Sequence, residues 1–112
     1  MAMDTSATDR VRAEISTNDV VLYMNGTPEF PQCSASAQAA QILAFCGVKF
    51  KSIDVLADPG IRQALKNFSD WPTIPQLFVK GAFIGGTDIM REMFESCELQ
   101  QLLVDEGILP NG

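Results

Sequence analysis

A chain of 112 residues with 46% hydrophobic and 20% charged content is long enough to bury one core and is expected to form one domain over residues 1–112. Its formal charge of −6 excludes a general phosphate-backbone binder, so nucleic acid is not an expected partner, and no apolar run approaches the roughly 20 residues of a membrane span. With no histidine, Ser-His and Cys-His nucleophile pairs and His-ligated zinc are excluded, which leaves cysteine as the reactive group.

Three cysteines are too few, and odd in number, for a secreted disulfide scaffold. Residues 1–17 also lack the apolar core of a signal peptide, so a reducing, cytoplasmic compartment is expected.

In chain order, Val11 and Ile15 share one face of a short amphipathic helix over residues 9–16. Val20-Val21-Leu22-Tyr23-Met24 is an apolar run that reads as a strand buried on both faces, followed by a loop rich in Gly and Pro over residues 25–32. Cys33 then opens a helix whose Ala-rich body, residues 35–46, contains no breaker. Unpaired N–H groups and the positive end of the helix dipole favour a thiolate there, so Cys33 is read as the most acidic and nucleophilic of the cysteines; the alternative is a buried structural thiol.

Gly47 stops that helix, and residues 50–55 form a second strand. Two strands bracketing a helix imply a right-handed βαβ unit with parallel strands. Asp58 caps the next helix with Pro59 at its first position, Ile61, Leu65 and Phe68 follow at helical spacing, and the helix ends near Asp70. After Trp71-Pro72-Thr73-Ile74-Pro75, the runs 76–79 and 82–86 flank the turn Lys80-Gly81 and read as an antiparallel hairpin. Thr87 or Asp88 is expected to cap a helix carrying Ile89, Met90, Met93 and Phe94, and a last helix covers residues 98–106 with Leu99, Leu102 and Leu103 on one face. The last few residues at each end look free of packing.

A reactive cysteine after the first strand of this order gives an α/β, thioredoxin-like layout with a central four-stranded mixed sheet flanked by helices. Cys46 lies 13 residues beyond Cys33 on the same helix, roughly 20 Å at 1.5 Å per residue, too far for a disulfide. It reads as core filler. Cys97 is either a surface thiol or another small buried residue.

Several blocks taken together resemble the monothiol glutaredoxins, the group marked by a C-G-F-S site: Gly26-Thr27-Pro28, Phe30-Pro31-Gln32-Cys33, Trp71-Pro72-Thr73-Ile74-Pro75-Gln76, and Gly85-Gly86 followed by Asp88. The likeness runs from about Asp19 to Leu103, and the Trp-Pro-Thr-Ile-Pro segment so close to a Gly-Gly-x-Asp turn makes it specific. It implies a glutaredoxin fold, a homodimer bridging a 2Fe-2S cluster through two copies of Cys33 and two glutathiones, and iron-sulfur client or assembly proteins as partners. Cys33 would be both metal ligand and catalytic thiol. Glutathione would be held by Arg62 on one carboxylate, by the backbone of Ile74 beside a cis Pro75, and by the helix start at Gly86, Thr87 and Asp88.

The family motif is altered at two places. Cys33-Ser34-Ala35-Ser36 stands where the family has C-G-F-S, which implies more crowding and water access at the sulfur. Asn25 stands at the glutathione site where the family has lysine, which removes a positive charge expected to bind a carboxylate and to hold the thiolate. The resemblance therefore leaves three readings: a cluster carrier with at most weak oxidoreductase activity, a glutathione-dependent thiol oxidoreductase using Cys33 alone, or a degenerate member acting as an interaction module.

Overall fold

The computed structural model describes residues 5–110; the expected freedom of the chain ends lies outside the described residues. The elements run in the order α1 (Thr5–Thr17), β1 (Val20–Met24), α2 (Ser34–Cys46), β2 (Lys51–Asp54), α3 (Pro59–Ser69), β3 (Gln76–Val79), β4 (Ala82–Gly85), α4 (Thr87–Glu95) and α5 (Glu98–Asp105). The four strands form one mixed sheet in the order β2-β1-β3-β4, with β1 parallel to β2 and antiparallel to β3.

All five residues of β1 are buried, and their alternation divides the core. Val20, Leu22 and Met24 pack with Leu43 of α2, Met90 of α4 and Leu99 and Leu103 of α5. Val21 and Tyr23 face the other way, onto Val11 and Ile15 of α1, Ile61 and Leu65 of α3, and Phe78. A sheet covered on both faces explains why β1 reads as continuously apolar rather than alternating. Each fully buried leucine or isoleucine here contributes about 1.5–3 kcal/mol from apolar burial.

Local signals set the helix ends. Asp58 accepts from the Gly60 N–H at 3.0 Å, with Pro59 in the first turn of α3. Lys80 and Gly81 both take positive φ, 51° and 82°, the conformation a two-residue turn needs to match strand twist. One expected cap is corrected. Gly86, not Thr87 or Asp88, is the N-cap of α4, with no side-chain cap bond, because the Thr87 hydroxyl is donated instead to the Ala35 carbonyl at 2.8 Å.

The register fixes which loops meet. Met24 lies opposite Asp54, Tyr23 opposite Gln76, and Leu77 opposite Gly85. The segments after β1 and β2, before β3, and after β4 therefore all leave the sheet at one end.

Candidate functional site

At that end Cys33 is the N-cap of α2, with extended backbone (φ −156°, ψ 158°). Its Sγ accepts from the Ser36 N–H at 3.4 Å and lies 3.3 Å from the Ser36 hydroxyl. Ser36 is fully buried, and its Oγ accepts the Asn25 N–H at 3.0 Å, which leaves the hydroxyl proton available to the sulfur. Asn25 also donates from its side chain, Nδ2 to Sγ, at 3.6 Å. Burial alone would push the thiol upward, but the hydroxyl and N–H of Ser36, the Asn25 amide and the Ala35 N–H outweigh it, and the Cys33 pKa lies below the ordinary thiol value.

The approach to Cys33 is held by backbone geometry. Gly26 sits at φ +88°, and a Cβ there would come within 2.5 Å of the Phe30 carbonyl oxygen, so a glycine is required at this turn. Asp54 Oδ1 accepts the Gly26 N–H at 2.9 Å, and the Asn25 carbonyl accepts the Gln32 N–H at 2.9 Å. The loop between β1 and α2 is thereby closed on itself and tied to the end of β2.

Beside Cys33 lies a cleft of about 220 Å³ lined by Ala35, Trp71, Thr73, Ile74, Pro75 and the start of α4 from Gly86 to Ile89. The Ile74–Pro75 peptide is cis, as the resemblance implies. Neither the N–H nor the C=O of Ile74 has a hydrogen-bond partner among the described residues, so this backbone edge is available to a ligand. A Cβ at Gly86 would lie 3.2 Å from the Pro75 carbonyl and 3.5 Å from Trp71 Nε1; a side chain would narrow the cleft at this crossing. The first N–H groups of α4 have no partner within the helix and carry the positive end of its dipole at the cleft. Asp88 is exposed at the rim, paired with Arg91 at 3.1 Å.

Of the residues singled out from sequence, Ile74, Gly86, Thr87 and Asp88 line one cleft. Cys33 and Asn25 form an adjoining cluster, joined to it through Ala35 and the Thr87 bond. Arg62 is exposed on α3 and does not line the cleft. Cys46 packs partly buried against the core, and burial raises its thiol pKa; Cys97 is exposed between α4 and α5. Sequence reasoning missed Gln76 and Asp54. The signal was available for Gln76, an amide at the start of a strand whose other residues are all apolar.

The glutaredoxin family model matches residues 20–84. The chain is similar to the probable monothiol glutaredoxin GrlA of Legionella pneumophila, 58% identical over 85 residues, covering 76% of this chain and 96% of that one. Glutaredoxin 4 of Escherichia coli K12 is 46% identical over 95 residues, 85% of this chain and 83% of that one. The solution structure of a monomeric truncated mutant of Trypanosoma brucei 1-C-Grx1 superposes with a TM-score of 0.85 at 42% identity, covering 91% of this chain and 93% of that one.

Proposed function

The chain belongs to the glutaredoxin family, on its monothiol side, and on that premise we propose that it binds glutathione in the cleft beside Cys33 and carries a 2Fe-2S cluster as cargo between partner proteins. The observation that supports this best is the state of Cys33: an acidified, partly exposed thiol at a helix start with no second cysteine beside it. Ser36 fills the place of a resolving thiol. Dithiol exchange within the site is therefore closed to this chain.

A 2Fe-2S cluster takes four thiolate ligands, and among the described residues no group of three or more His, Cys, Asp or Glu side chains could hold a metal ion. One chain thus offers one thiolate. The donor set is completed by two chains and two glutathiones, which makes the cargo-bound form a homodimer. In this reading Ile74 presents its free N–H and C=O to the extended tripeptide, and the N–H groups at Gly86, Thr87 and Asp88 take the α-carboxylate of the γ-glutamyl end. The Asp88 carboxylate takes its ammonium, displacing Arg91. Arg62, which lies outside the cleft lining on the exposed side of α3, takes the other carboxylate where the tripeptide extends beyond the cleft, and Asn25 orients the Cys33 sulfur. The whole chain acts as one glutaredoxin domain in the cytoplasm, where reduced glutathione is abundant.

Anaerobic reconstitution with iron, sulfide and glutathione, read by visible absorption, tests the proposal. Cys46→Ser and Cys97→Ser are expected to develop the same absorption as the unmodified chain, and Cys33→Ser none. Loss of the cluster in Cys97→Ser as complete as in Cys33→Ser would overturn the ligand assignment.

A further inference from the structure

The wall of the cleft opposite α4 is residues 71–75, a stretch with no helix or strand. Its hydrogen bonds among the described residues run to two side chains only. Gln76, 1% exposed at the first position of β3, donates through Nε2 to the Trp71 carbonyl at 2.9 Å and to the Thr73 carbonyl at 3.2 Å. The Gln76 Oε1 faces the Ser69 hydroxyl at 3.0 Å, and that same hydroxyl accepts the Trp71 N–H at 3.2 Å. Both donors of the amide are thus engaged, the single Ser69 proton is shared between the Gln76 Oε1 and the Leu65 carbonyl at 2.9 Å, and the two carbonyls fix which end of the amide is nitrogen.

A buried amide at the end of a strand needs only enough partners to offset its desolvation, and the strand interior next to it could have been apolar at no such cost. Here the partners are the two carbonyls that bracket Pro72, one residue before the free backbone edge of Ile74. The peptide between Thr73 and Ile74 inherits its orientation from that second bond.

We infer that Gln76 is a positioning residue for the ligand edge: from inside the sheet it holds the Trp71 and Thr73 carbonyls so that the N–H and C=O of Ile74 face the cleft. The inference rests on the proposed binding of glutathione to that edge, and names the group that sets its geometry. Without the two donors, both carbonyls turn to water and the wall samples orientations that do not pair with an extended peptide. Cys33 belongs to a different loop, tied by Ser36, Asn25 and Asp54, and keeps its environment.

Trp71 is the only tryptophan, so its fluorescence reports on this wall alone. Gln76→Met keeps the length of the side chain and loses its hydrogen bonds; Gln76→Glu keeps the acceptor for Ser69 and loses both donors. Val79→Ala, at the far end of the same strand, is a control for general loss of stability. Three quantities are read on each folded protein: acrylamide quenching of Trp71, glutathione affinity by calorimetry, and the rate of Cys33 alkylation by iodoacetamide in a Cys46→Ser, Cys97→Ser background. Both Gln76 variants are expected to increase Trp71 quenching and weaken glutathione about 10-fold, with alkylation unchanged within about twofold; Val79→Ala is expected to leave quenching and affinity as they are. Unchanged quenching in the Gln76 variants, or an equal change in Val79→Ala, would overturn the inference. Should the unmodified chain bind no glutathione, the proposed function fails, while Trp71 quenching still decides whether Gln76 holds the wall.

Discussion

The side-chain amide of Asn25 donates to the Cys33 sulfur across 3.6 Å, and its backbone N–H donates to the Ser36 hydroxyl that also faces that sulfur. The loss of a positive charge at this position is therefore partly made good by a neutral donor. A neutral N–H stabilises a thiolate less than an ammonium does, but it needs no counter-charge when the site is empty.

Asn25→Ala is expected to raise the Cys33 pKa and slow alkylation at pH 7, since one of the bonds to the charged form is lost. Asn25→Lys is expected to lower the pKa and to tighten glutathione, by roughly 10- to 150-fold if the new ion pair is dry and by almost nothing if water screens it. The pH dependence of iodoacetamide alkylation checks both directions.

Ser36→Ala removes the acceptor of the Asn25 N–H from a fully buried position. Leaving that N–H without a partner is expected to cost about 1–3 kcal/mol of stability, and loss of the hydroxyl should raise the Cys33 pKa. Chemical denaturation and the alkylation profile read the two effects separately. Ser36→Cys is expected to convert the monothiol site to one that closes an intramolecular disulfide, detectable by mass after oxidation.

The lowered Cys33 pKa also fixes the sign of a pH effect on the fold. The group binds its proton less readily folded than unfolded, so its contribution to stability is complete above the unfolded thiol pKa and disappears as pH falls through the folded value. Cys33→Ser removes that slope. Comparing denaturation midpoints of the two proteins from below the folded thiol value to above the unfolded one checks it: their difference is expected to change with pH in that window and to be flat below it.

Much of the layout was legible because each element carries its own local signal: the β1 run from Val20 to Met24 matches the strand residue for residue, and Asp58-Pro59 marks the start of α3. The cap of α4 was misread for a physical reason. Thr87 has the right side chain for a cap, but a partner distant in sequence, the Ala35 carbonyl, takes its hydroxyl, and no local pattern reveals such a bond. The same limit hid Asp54, which reads as an ordinary strand residue until the register of β1 and β2 brings it to the Gly26 N–H. Glycine spacing and the cysteine told where the site lies; the donors that tune it come from tertiary contacts.

Gly26→Ala combines a positive φ with a Cβ 2.5 Å from the Phe30 carbonyl oxygen. The loop must shift to accept it, at a cost of about 1–3 kcal/mol, and the displaced Asn25 should leave Cys33 less reactive. A lower thermal midpoint together with slower alkylation is the expected outcome; a lower midpoint with normal alkylation would mean that the loop relaxes away from the thiol.

Native mass spectrometry of the chain reconstituted anaerobically with iron, sulfide and glutathione tests the central claim most directly. The account predicts one complex containing two chains, one 2Fe-2S cluster and two glutathiones, absent when Cys33→Ser is used. A cluster held by one chain, or by two chains without glutathione, would contradict it.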